Sequence, residues 1–192
     1  MTQPFDIADL EACLRVLRAG GIVLYPTDTV WGIGCDATLA QAVHKIYRLK
    51  QRSDTKSMLV LMADEEALSH YVSVPACARK IIKEETARPL TIIYPGAHGV
   101  AENLIAEDGS LGIRLTSEAF TRALCRRLGH PIVSTSANIS GCPAAKTYSQ
   151  ISDAIRQGVD YICRYRQDDE AEKLPSKIIK VTSTGEVTII RE

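Results

Sequence analysis

Large aromatic side chains are scarce in this 192-residue chain, with two Phe, one Trp and seven Tyr. The hydrophobic fraction is still 45%, so the core must be aliphatic. An excess of one charge is also missing. Lys plus Arg and Asp plus Glu both number 23, for a formal net charge of zero. That argues against a protein that coats nucleic acid through bulk charge, and leaves room for a local basic patch. No apolar run reaches membrane-spanning length, and no signal-peptide pattern opens the chain. The expectation is a cytoplasmic protein that uses no membrane.

Other absences concern chemistry. The six cysteines, at 13, 35, 77, 125, 142 and 163, form no C-x-x-C and have no His at ligand spacing. Disulfide frameworks and structural zinc sites need paired ligands, so all six are read as reduced, mostly buried thiols and no metal site is expected. Gly32 and Gly34 allow close backbone approach but lack the third glycine of a dinucleotide fingerprint, and there is no Walker A sequence. No Ser-His-Asp order, H-E-x-x-H or carboxylate pair stands out. These gaps disfavour a hydrolase with a dedicated nucleophile. They favour catalysis by positioning and electrostatics, as in adenylyl transfer.

The chain also lacks a Pro/Gly/Ser-rich linker, a repeat and a low-complexity segment. One domain spanning 1–192 is expected, long enough to bury roughly 70% of its unfolded surface. Leu10, Cys13, Leu14 and Leu17 share one helical face, and Gly20-Gly21 ends that helix. Ile22 to Tyr25 is of strand length. Leu39, Val43, Ile46 and Tyr47 mark a second helix. Strands are expected at 58–62, 90–94, 111–115, 132–134, 161–164, 178–181 and 187–190. Helices are expected at 76–85, 117–128 and 148–156, with a short one begun by Asp64. The last two strands join through Ser183-Thr184-Gly185, a hairpin signal. The alternation predicts an α/β fold, with mixed pairing because of that hairpin.

Three polar clusters carry the functional reading. Ser134-Thr135-Ser136-Ala137-Asn138 follows the apolar Pro131-Ile132-Val133, and such groups at the carboxyl end of a strand face the ligand crevice of an open sheet. Tyr25-Pro26-Thr27-Asp28-Thr29-Val30-Trp31-Gly32 places two hydroxyls on one side of an extended segment. They could hold a small polar substrate or simply cap a turn. Lys45, Arg48, Lys50, Arg52 and Lys56 are a basic run that is either a solvated helix exit or a phosphate clamp. Arg114 is a lone cation within Leu111–Leu115, and it needs an anion if it faces a crevice.

In this order the clusters resemble the YrdC family, the threonylcarbamoyl-AMP synthases of tRNA modification. The signposts are 25–34, Lys50-x-Arg52, Leu111-Gly112-Ile113-Arg114 and Ser136-Ala137-Asn138-x-Ser140-Gly141. The resemblance implies a twisted mixed parallel/antiparallel sheet with flanking helices around a large concave cavity. It implies condensation of L-threonine, bicarbonate and ATP to threonylcarbamoyl-AMP and pyrophosphate, with Mg²⁺, for a partner enzyme that modifies adenosine 37 of tRNA. By position, Thr29, Arg114, Ser134 and Ser176 would contact threonine, with Arg114 on its carboxylate. Arg52, Lys56, Ser136, Asn138 and Arg191 would contact ATP. Lys50 and Arg52 would neutralise developing phosphate charge. The sequence departs from the family pattern at Ser53, Lys56-Ser57, Thr116 and Lys177. A module binding double-stranded RNA or tRNA through the same basic cavity is the alternative reading. A carbamoyl-adenylate domain is a third.

Overall fold

The computed structural model describes residues 4–53, 57–85 and 88–192. The helix α1, Ile7–Arg18, starts where the Asp6 carboxylate accepts the Ala8 N–H, and it buries Leu10, Cys13, Leu14 and Leu17. Gly20 ends it at φ 72°, in the left-handed region where a side chain is strained.

Strands β1 (Val23–Tyr25) and β2 (Gly32–Gly34) pair antiparallel. The short β2 was not expected from the sequence. Its glycines explain both its existence and its invisibility. A Cβ on Gly34 would lie 2.5 Å from the Val133 carbonyl oxygen and 2.6 Å from the Tyr25 ring. At Gly34 the strand fits only without a side chain, so Ile33 is its sole apolar residue and the pattern that marks other strands is missing.

Next come α2 (Ala40–Lys50), β3 (Leu59–Met62), α3 (Ala76–Glu84), β4 (Leu90–Tyr94) and β5 (Leu111–Leu115). They are followed by α4 (Ala119–Leu128), β6 (Ile132–Ser136), α5 (Asp153–Gly158), β7 (Tyr161–Ile162), β8 (Lys177–Val181) and β9 (Val187–Arg191). The nine strands form one sheet in the order β7-β1-β2-β6-β3-β5-β4-β8-β9. Pairs β1/β7, β3/β5 and β4/β8 are parallel and the others antiparallel. The expected mixed α/β sheet is therefore present. No helix among the described residues is long and apolar enough to cross a membrane.

The helix expected over 117–128 begins at Ala119, because the Glu118 carboxylate caps it by accepting the Thr121 N–H. Three other boundaries differ from expectation. β6 runs on through Ser136, because Gly32 and Ile33 of β2 pair with Ser136 and Thr135. The helix expected over 148–156 is a 3₁₀ turn, Tyr148–Gln150, followed by α5, because Ile151 turns into the core with extended backbone. β7 stops at Ile162, because the Arg164 and Tyr165 N–H groups donate to the buried Asp9 carboxylate instead of to a neighbouring strand. Asp64 stands at the start of a 3₁₀ helix, Glu65–His70, without a side-chain capping bond. It pairs with Arg122 and Arg126 instead.

Asp9 also accepts from the Tyr161 hydroxyl and the Cys163 thiol. Asp9, Cys13 and Cys163 converge within 4.8 Å. Burial works against the Asp9 charge, but the hydrogen bonds from Cys163, Arg164, Tyr161 and Tyr165 outweigh it and hold the carboxyl below its ordinary range. The cluster is a satisfied hydrogen-bond knot tying α1 to the chain after β7. All six cysteines are free thiols, four of them buried.

Candidate active site

Sheet register builds the floor of a cavity of about 750 Å³. Thr91 of β4 faces Arg114 of β5 on one side and Ile178 of β8 on the other. Two residues along, Ile93 faces Gly112 and Lys180. Side chains alternate along a strand, so these positions share one face. All of them line the cavity, with Ser176 just ahead of β8. Gly112 is the low point of this floor. A Cβ there would meet the Leu59 Cβ at 3.4 Å and the Thr91 methyl at 3.7 Å.

One end of the cavity gathers Thr29, Thr91, Arg114, Ser176 and Arg191. Arg114 is 3% exposed, and its Nε and Nη2 both lie 3.1 Å from Asp28 Oδ1. The anion that the lone guanidinium requires is thus Asp28, from the loop after β1. Arg114 Nη2 also donates to Thr29 Oγ1 at 3.2 Å. The Thr91 and Ser176 hydroxyls lie 2.8 Å apart. Arg191 donates through Nε and Nη2 to the Ser176 carbonyl. Burial, with Arg114 and Arg88 as further cations, lowers the Arg191 pKa. Lys177 turns to the opposite side of β8, toward Glu85 and Glu192 at 3.8 Å. The departure from the family pattern there puts no cation into the cavity.

The other end gathers Arg52, Ser57, Thr135 and Ser136. Ser134 stands between the two ends, its Oγ and the Thr27 methyl both 3.3 Å from where a Cβ on Gly32 would lie. Arg52 stands just past the left-handed Gln51 that terminates α2, and its Nη2 donates to the Ser57 carbonyl. Lys56 lies outside the described residues. Lys50 and Asn138 depart from expectation, as neither side chain lines the cavity. Lys50 is 1% exposed and turns inward, donating from Nζ to the carbonyls of Ser136 at 2.5 Å and Asn138 at 2.6 Å. Its own carbonyl accepts the Ser140 N–H. Burial, and secondarily Arg52, pulls its pKa down to about 8. Lys50 thus holds the turn after β6 from behind. The Asn138 amide nitrogen folds back on the Ile139 and Cys142 carbonyls.

The structure therefore brings together Thr29, Arg52, Arg114, Ser134, Ser136, Ser176 and Arg191 around one cavity. Sequence reasoning missed Asp28 as the partner of Arg114, and it missed Thr91 and Lys180 as lining residues. Thr91 could have been found as the polar position within Leu90–Tyr94, and Lys180 as the residue two and four places after Ile178 and Ser176. Both signals depend on knowing which face is the cavity. Among the described residues, four cations line it, Arg52, Arg114, Lys180 and Arg191, against two acids, Glu107 and Asp108. Lys180 is paired with Asp108. The remaining balance favours an anionic ligand.

Residues 15–192 match the model of the Sua5/YciO/YrdC family, described as "Telomere recombination". A threonylcarbamoyl-AMP synthase of Idiomarina loihiensis is 38% identical over 155 residues, covering 79% of this chain and 83% of the relative. One from Nitrosococcus oceani is 36% identical over 149 residues, covering 77% and 80%. The crystal structure of E. coli YciO superposes with a TM-score of 0.84 at 27% identity, over 98% of this chain and 90% of that one. P. abyssi Sua5 in complex with L-threonine superposes with a TM-score of 0.83 at 23% identity, a likeness of fold. This chain matches it over 92% of its own length and about half, 52%, of the Sua5 chain. With the polar clusters gathered on one cavity and the family model matching nearly the whole chain, this protein belongs to the Sua5/YciO/YrdC family.

Proposed function

We propose that the protein is an L-threonylcarbamoyladenylate synthase, which makes threonylcarbamoyl-AMP and pyrophosphate from L-threonine, bicarbonate and ATP. One observation carries this reading. A single cavity has a buried guanidinium and hydroxyls at one end, and Arg52 with the Ser136 hydroxyl at the other. The first end suits a small zwitterion and the second a polyphosphate. Relatives named threonylcarbamoyl-AMP synthase support it.

In this reading Arg114 holds the threonine carboxylate, and Thr29, Ser134 and Ser176 flank the amino acid. Thr91 shares the hydroxyl pair with Ser176 and adds a contact. The amine attacks the bicarbonate carbon, which loses water to leave the carbamate; a carbamate oxygen then attacks the α-phosphorus and displaces pyrophosphate. Arg52 stabilises charge on the phosphates, aided by Lys56 from the same segment. Arg191, expected on the nucleotide from the resemblance, is tied instead to the Ser176 carbonyl at the amino-acid end. Lys50 acts indirectly, by holding the Ser136–Asn138 turn against which the nucleotide would lie. Asn138 belongs to that turn. Mg²⁺ would arrive with ATP, on phosphate oxygens and water. The cavity suits such an ion, because Glu107 and Asp108 are its carboxylates among the described residues and Asp108 is already paired. The product would feed a threonylcarbamoyl transferase acting on adenosine 37 of tRNA.

The test is conversion of labelled bicarbonate, ATP and threonine to an AMP-containing product, without RNA. Omitting threonine should abolish product, and serine should support much less. Product formed equally well without any amino acid would sink the proposal. RNA binding with no product would favour the RNA-binding alternative.

A further inference from the structure

The amino-acid end of the cavity is wired from behind by two residues that do not line it, Thr27 and Asp28. Thr27 is 2% exposed, and its Oγ1 lies 2.7 Å from the Val30 carbonyl oxygen. A carbonyl only accepts, so the single hydroxyl proton of Thr27 goes there. Thr27 Oγ1 must then accept from its other neighbours, the Thr29 N–H and the Thr29 hydroxyl, both at 3.0 Å. The one proton of Thr29 is thereby committed to Thr27. Its oxygen already accepts from Arg114 Nη2. Toward the cavity, the Thr29 hydroxyl can only accept.

Asp28 sets the opposite polarity next door. Its Oδ1 takes Nε and Nη2 of Arg114, and its Oδ2 accepts the Ser117 N–H at 3.4 Å, anchoring the carboxylate to the start of α4. Nη1 has no hydrogen-bond partner among the described residues, and a guanidinium nitrogen can only donate. The cavity therefore sees an acceptor at Thr29 beside a charged donor at Arg114 Nη1.

We infer that Thr27 and Asp28 are positioning residues that fix these two polarities and so select an α-amino acid, whose N–H and carboxylate match them. The inference rests on the proposed assignment of Thr29 and Arg114 to the amino-acid substrate. It also assigns roles: the Thr29 oxygen takes one N–H of the attacking amine and leaves its lone pair directed away, while Nη1 takes the carboxylate. A mis-set Thr29 proton would repel the N–H. A swung guanidinium would lose the carboxylate.

The test compares apparent KM for L-threonine and for ATP, by pyrophosphate release, in T27V, T27S, D28N, D28E, R114Q and D28N/R114Q. Threonine binding by calorimetry replaces KM for any variant too slow to assay. D28N should raise KM for threonine at least ten-fold and T27V three- to ten-fold, with KM for ATP within two-fold. T27S keeps the hydroxyl and should behave like the parent. D28N should add nothing on the R114Q background, because Asp28 acts through Arg114. D28E keeps the buried charge balanced but shifts the guanidinium. It should raise KM for threonine at least five-fold, and it stands in if D28N does not fold. If R114Q leaves KM for threonine unchanged, the assignment of Arg114 to the amino acid fails and the inference goes with it. If R114Q raises it while D28N, D28E and T27V do not, the inference alone is overturned. Equal rises for threonine and ATP would also overturn it, by showing a general structural effect.

Discussion

Replacing Lys50 with Met keeps the length of the side chain and removes its charge and donors. The Asn138 carbonyl then loses the Lys50 donor, while the Ser136 carbonyl keeps the Asn138 N–H. An unsatisfied buried acceptor costs about 1–3 kcal/mol. Against this stands the burial of the ammonium. Its pKa falls from 10.5 to about 8 on folding. At about 1.4 kcal/mol per pH unit, that is a charging penalty of roughly 3 kcal/mol at neutral pH, which Met relieves. At pH 7 the variant should therefore be as stable as the wild type or more stable by up to about 2 kcal/mol. The sign of the pH dependence follows from the depressed pKa. Between about pH 8 and 10.5 the unfolded chain binds the proton that the fold has released, so wild-type stability gains as pH rises through this window. The Lys50→Met variant has nothing to titrate at this position. The stability difference between the two proteins should move by about 2 kcal/mol in favour of the wild type between pH 7 and pH 9.5. Urea unfolding at 25 °C at both pH values measures it. Arg52→Ala is the control, with activity down ten- to a hundred-fold for roughly 1.5–3 kcal/mol of lost phosphate contact and the fold intact. A difference that stays constant with pH, or moves in favour of the variant, would refute the reasoning, because Lys50 would then not be a buried tie.

Two further outcomes test other parts of the structure. Gly112→Val should leave the melting temperature unchanged or slightly higher, since its Cβ finds ordinary contacts and β-branched residues suit strands. Its methyls would stand in the cavity, and activity should fall at least a hundred-fold; a fully active variant would mean that the ligand does not lie over Gly112. Asp9→Asn presents an amide nitrogen to a site crowded with donors, and should cost about 2–4 kcal/mol at pH 7. The folded pKa of Asp9 is lowered, so its contribution is present above about pH 4 and is lost as pH falls below its ordinary value. The wild-type advantage over Asp9→Asn should shrink on acidification, as read by urea unfolding at pH 7 and pH 3.

Elements with a strong apolar period were readable. β4 and β5 fall on the expected residues, and α1 buries the four residues on its predicted face. What was not readable depended on distant pairing. β2 has glycines at both ends, and it is a strand only through its pairing with β1 and β6. The extension of β6 follows from β2 and was hidden with it. The expected site residues mostly meet at the cavity, because short hydroxyl and guanidinium clusters at strand ends carry a local signal. Lys50 shows the limit of that signal. Its neighbours make it look like Arg52, yet the helical geometry of α2 sends it inward, while Arg52, beyond the left-handed Gln51, leaves the helix and turns to the cavity. Arg114 was conspicuous, but its partner Asp28 lies far away in sequence and no spacing rule connects them.

The order of the strands also dictates when the site can exist. The amino-acid end needs Thr29 from the first quarter of the chain, Arg114 from the middle and Ser176 from the last tenth, and β8 reaches it by docking beside β4, with β9 outside it. During synthesis, the segment carrying Ser176 is still inside the ribosome while β1 to β6 are already free to collapse. A nascent chain therefore holds an open, cationic half-cavity with the edge of β4 exposed. Its capacity to bind is switched on in a single step, by the docking of β8 against β4 once the segment carrying Ser176 is free.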